Sequence, residues 1–130
     1  MKNIFLAMLI IVTSAVFAQQ QNVNQVTAPP NQETNFNQKL FSDSLAASFV
    51  IIIKKEVKLH LHALHTEHVY VISGEAVMKL GDKNLSIKAG DVIFIPKGTP
   101  HSVKVTSAVP LKIISVQSPN FEGKDRIALE

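Results

Sequence analysis

The chain of 130 residues contains no cysteine, which excludes disulfide bonds, thiolate metal ligands and a lipidated N-terminus. It lacks a strong charge of either sign: 13 Lys and Arg against 10 Asp and Glu give +3. A balance so weak and evenly spread argues against nucleic acid as a partner. It also lacks a long hydrophobic run. The apolar stretch at 4–12 is nine residues, against roughly 20 for a membrane-spanning helix. No serine sits in an elbow motif, so a nucleophilic triad has no support. No internal repeat of useful length is visible.

What is present begins with a start that reads as a targeting segment. Met1, Lys2 and Asn3 form a short positive region ahead of the apolar run, and Val16, Phe17 and Ala18 offer a cleavage site before three glutamines. Residues 1–18 are therefore expected to be a signal peptide, cleaved after Ala18. Export then predicts a periplasmic or secreted protein with no stable membrane span. Cleavage removes only Lys2, so the charge falls to +2 on 112 residues. Residues 19–38 are rich in Gln and Asn, with Pro29 and Pro30 in the middle, and read as a flexible linker. A single domain is expected over 39–118, followed by a tail at 119–130.

Within that domain the pattern is all-β. Phe41 to Leu45 fits a short helical turn or an edge piece. The β-branched run at 49–53 suits a strand covered on both faces. Val57, Leu59 and Leu61 alternate with Lys58, His60 and His62, the period-two pattern of a half-buried strand. Strands are expected again at 69–72, 76–80, 85–87, 92–95, 101–105 and 111–116. Gly74 and Glu75, then 81–84, then 89–91 and then 96–100 supply turns between them. Seven to nine short strands at this spacing argue for an antiparallel sandwich or barrel.

Four of the five histidines lie at 60, 62, 65 and 68, with Glu67 among them; the fifth is His101. Residues i and i+2 of a strand face the same way, so His60 and His62 present two imidazoles to one face. Glu67, after a short connection, can return to the same point, and His101 at a strand start can supply a ligand from elsewhere. Three imidazoles and a carboxylate suit one divalent ion, Fe, Mn, Ni, Cu or Zn, without selecting among them. Four protein ligands leave open positions on an octahedral ion. His65 sits in the connection and reads as a solvated loop residue. His68 has the opposite parity from Glu67 and should face away. Lys58 shares the parity of His60 and His62 and could meet an anionic substrate, though a solvated strand lysine is the plainer reading. Tyr70 and Ser73 are further polar candidates.

These residues resemble the two motifs of the cupin superfamily. His60, His62, Glu67 and Gly74 follow the spacing of the first motif, and Gly90, Pro96, Gly98 and His101 that of the second. The 15 residues between, 75–89, match the short spacing of small single-domain cupins. Lys54 and Val105 depart from the usual glycine and asparagine, at positions that are not ligands. The resemblance implies a double-stranded β-helix, or jelly-roll barrel, often a homodimer, with metal at His60, His62, Glu67 and His101. It allows a metal-dependent enzyme, an oxygenase or an isomerase or lyase, acting on a small oxygenated molecule. A non-catalytic metal- or ligand-binding module and a barrel with a purely structural metal are the alternatives.

Overall fold

In the computed structural model, residues 19–130 are described, so the signal-peptide reading of 1–18 lies outside the described residues. Ten strands run in chain order: β1 Phe36–Ser42, β2 Ala47–Ile53, β3 Glu56–Leu61, β4 Thr66–Ser73, β5 Glu75–Leu80, β6 Lys83–Lys88, β7 Val92–Ile95, β8 His101–Val105, β9 Leu111–Ser118 and β10 Ile127–Ala128. They form two five-stranded antiparallel sheets, ordered β1-β2-β9-β4-β7 and β10-β3-β8-β5-β6. This is the cupin-like jelly roll that the strand spacing and motifs led us to expect. No helix among the described residues is long and apolar enough to cross a membrane.

The alternation visible in the sequence is the alternation of burial. Along β9, Leu111, Ile113, Ser115 and Gln117 are buried, while the residues between them are only partly so. Inward side chains such as Ile53, Val69, Met78, Ile95 and Leu111 pack between the sheets as one core. Gly74 makes the turn from β4 to β5 possible. Its φ is +85°, and a Cβ there would lie 2.6 Å from the Pro110 carbonyl oxygen.

The reading of residues 19–38 as a flexible linker needs correction. Val23–Gln25 forms a 3-10 turn capped by the Asn22 side chain, Val26 is buried, and β1 already begins at Phe36. Val26, Phe36 and Leu40 pack on the outward side chains Val50 and Ile52 of β2. The Lys112 ammonium also donates to the Val26 carbonyl at 2.7 Å. The physical reason lies in β2 itself. Its β-branched run is apolar on both faces, so it demands a cover outside the barrel as well as a core within. The few apolar residues of a polar segment supply that cover.

The C-terminal residues also do more than trail away. Phe121 is buried against Phe49, and β10 pairs with β3 as Ile127 to Leu61 and Ala128 to His60. Residues 119–128 thus form a strap across one end of the barrel.

Candidate metal centre

β3 and β8 are neighbours, and their register sets His60 directly across from His101. A bulge between Val57 and His60 breaks the ladder just before this pair. His62 follows two residues on, so the strand period turns both imidazoles to one face. The three rings gather with centroids 4.2 Å (His60 to His101), 5.3 Å (His60 to His62) and 5.6 Å (His62 to His101) apart. Each offers a nitrogen within 4.8 Å of the others, and all three residues are buried. Glu67 enters from β4 in the opposite sheet. Its Oε2 lies 3.4 Å from His101 Nε2 and 3.9 Å from His62 Nε2.

The second motif supports this arrangement through its backbone. Gly98 takes φ +76°, and its N–H donates to the His62 carbonyl at 2.6 Å. The turn before His101 therefore also holds the strand end that carries His62.

Hydrogen bonds fix which nitrogen each histidine presents. Nδ1 of His60 faces the Lys58 carbonyl at 2.8 Å, Nδ1 of His101 the Thr99 carbonyl at 2.9 Å, and Nδ1 of His62 the Asp125 carbonyl at 2.5 Å. A carbonyl only accepts, so each Nδ1 carries the proton and each neutral ring leaves Nε2 as a lone pair. His101 Nε2 is buried without a hydrogen-bond partner; its approach to Glu67 is close but misaligned. A buried unpaired acceptor is costly, and a shared cation would satisfy it. Ser115 on β9 donates to Glu67 Oε1 at 2.5 Å, steering the other carboxylate oxygen toward the imidazoles. These donors fit a divalent ion of the borderline kind.

Charge follows from the same contacts. Burial pushes the His60 imidazole down from 6.5 to about 4, and neighbouring His101 adds to this against the bond to Lys58. For Glu67, burial works to raise the pKa. The approach of His101, the Ser115 hydroxyl and the fields of His101 and His62 outweigh it and hold the carboxyl below its usual value.

The remaining candidates separate. His68 lies exposed on the outer face of β4 and packs on Phe94, as its parity indicated. His65 is buried, not solvated, because a residue 60 positions away reaches it. Its Nδ1 lies 2.6 Å from Asp125 Oδ2 and its Nε2 3.2 Å from the Asn120 carbonyl, so neither nitrogen is free for ligation. Lys58 lines the mouth of the site's cavity, but its ammonium pairs with Glu56 at 2.5 Å. Tyr70 and Ser73 are exposed and do not line that cavity.

Sequence reasoning missed Ser115, Gln117 and Asp125. Two polar residues at inward positions of an otherwise apolar strand were a legible signal for Ser115 and Gln117. Nothing local marked Asp125. Its carboxylate accepts from Ala63 and Leu64 N–H at 3.0 and 2.8 Å as well as facing His65. Burial opposes ionisation of Asp125, but His65 and these two N–H groups hold it below the usual carboxylate range. Above the histidines opens a cavity of about 360 Å³ whose deeper wall is Val69, Met78, Ile87 and Leu111.

Comparison with known proteins bears on the fold and the family. An uncharacterised protein of Methanocaldococcus jannaschii is 36% identical over 87 residues, 67% of this chain and 69% of its own. The structure is similar to a Klebsiella pneumoniae protein with a double-stranded β-helix domain (TM-score 0.73, 22% identity), covering 88% of this chain and 100% of that one. It is also similar in fold to Streptomyces Pac13, a nucleoside dehydratase (TM-score 0.64, 13% identity), covering 88% and 92%. The cupin-domain family model matches residues 49–117. With more than half of its length matched by that model, the chain belongs to the cupin family.

Proposed function

We propose that this cupin is an exported, metal-dependent enzyme that acts on a small oxygenated molecule by oxygenation, isomerisation or a lyase reaction. One observation carries the reading: three buried imidazoles converge, with the buried Glu67 carboxylate 3.4 Å from one of them, and all four line a cavity of about 360 Å³. A structural metal needs four closed ligands and no room beside them, whereas this donor set adjoins space for a small ligand. The enzymatic neighbours in fold support the same reading at the level of architecture.

His60, His62, His101 and Glu67 would hold the ion, and a bound divalent ion supplies Lewis acidity toward substrate oxygens. The chain's own contribution is orientation. The backbone carbonyls of Lys58, Thr99 and Asp125 fix the three rings, and Ser115 fixes the carboxylate. The apolar wall keeps water from the reacting end. Exposed Tyr70, Val92 and Phe94 on the outer face of β4 and the edge strand β7 support assembly as a homodimer.

Metal analysis by ICP-MS on untagged residues 19–130, with thermal melting before and after chelation, tests the reading. About one equivalent of metal on a barrel that stays folded after chelation is expected. Zinc whose removal unfolds the barrel would favour a structural ion, and no metal after reconstitution would end the proposal.

A further inference from the structure

The chain has one arginine, and it lines this cavity. Arg126 sits in the strap immediately before β10. It directly precedes Ile127, whose partner on β3 is Leu61, and it lines the cavity together with His60 and His62. Arg126 is exposed where the buried histidines are not, which puts it on the solvent side of the cavity.

The position of Arg126 is held from both sides. Asp125 before it receives the His62 ring through its carbonyl and the Ala63 and Leu64 amides through its carboxylate. After it, the Leu129 N–H donates to the Leu59 carbonyl at 3.1 Å. The guanidinium itself is uncommitted. Among the described residues it forms no ion pair and donates no hydrogen bond.

The other charges at the mouth are spoken for. Lys58 and Glu56 pair with each other, and Asp125 is engaged by His65. Asn35 donates to the Glu56 carbonyl and accepts from the Lys54 N–H. What remains is one planar cationic fork, the Asn37 and Gln117 amides, apolar walls of Ile51, Ile53 and Met78, and the histidine centre. A divalent ion held by three neutral imidazoles and one carboxylate leaves that centre with one net positive charge, which also favours an anion.

We propose that the cavity binds a small carboxylic acid with an apolar body, its carboxylate held by Arg126 and an oxygen at its other end meeting the histidine centre. A guanidinium matches a carboxylate with two parallel N–H···O bonds. The inference rests on the metal-centre reading above and names its substrate class.

Isothermal titration of the zinc-loaded protein with glutarate, and with its uncharged isostere glutaramide, tests it. Metal content is measured on every sample. Glutarate should bind the unmodified protein, and glutaramide should bind far more weakly. Arg126→Gln should raise the glutarate Kd about tenfold or more, equivalent to about 1.4 kcal/mol. Arg126→Lys should recover part of that loss, and Lys58→Gln should change it by about twofold at most. Equal affinity in the parent and Arg126→Gln, with both fully metal-loaded, overturns the carboxylate proposal and leaves the metal centre standing. So does glutaramide binding as tightly as glutarate, or no glutarate binding to the loaded parent. A parent protein that takes up no zinc overturns both readings.

Discussion

His60 and His101 are direct cross-strand partners on β3 and β8, with ring centroids 4.2 Å apart. Two residues 41 positions apart in sequence thereby become the closest pair of rings in the site. Without a cation, nothing among the described residues pairs the inner nitrogen of His101. Replacing His60, His62 or His101 by Ala should therefore abolish metal loading, whereas His68→Ala, on the outer face, should leave it intact. ICP-MS stoichiometry of the four variants decides this; equal loading in all would sink the ligand assignment.

Asp125 joins the strap to the site without being one of its ligand residues. Asp125→Ala removes the acceptor for two backbone amides and for His65, and it loosens the loop that aims His62. Metal affinity should fall about 10- to 100-fold, as for other residues that orient a ligand. Competition with a chromophoric chelator measures it. Unchanged affinity would show that the Asp125 main-chain contact alone orients the ring.

The pH dependence of the metal-free protein follows from His60. Its folded pKa, about 4, lies below the ordinary 6.5. Between these values the unfolded chain binds more protons, so stability rises with pH there. The contribution is complete above about pH 6.5 and is lost as pH falls toward 4. Glu67, also held below its usual value, adds a loss at lower pH in the same direction. Urea unfolding at pH 7.5 and pH 5 should show lower stability at pH 5, and His60→Gln should flatten that difference. A steeper difference in the variant would refute the assignment.

Gly74→Ala should be among the most damaging single changes. It combines a positive φ with a Cβ placed 2.6 Å from the Pro110 carbonyl oxygen, and backbone cannot move aside cheaply. A loss of roughly 2–4 kcal/mol is expected. At Gly90, φ is +93° but nothing lies within 4 Å, so Ala should cost only about 1–2 kcal/mol. Chemical denaturation of both variants checks the order.

Val26→Ala tests the outer cover of β2. Val26 is buried against Val50 and Ile52, so a loss of about 1–2 kcal/mol is expected in urea unfolding. A change near zero would restore the flexible-linker reading of that segment.

The strand pattern, the same-face pair His60 and His62, and the separation of Glu67 from His68 were legible in the residues alone, because side-chain direction along a strand has a fixed period of two. The spacing of turns carried the barrel for the same local reason. Tertiary structure alone decided what faces those residues from afar. Val26 covers β2, Ser115 aligns Glu67, and Asp125 engages His65 across 60 residues. Such contacts depend on how two sheets close and where the chain ends fold back. No periodicity within one segment encodes them.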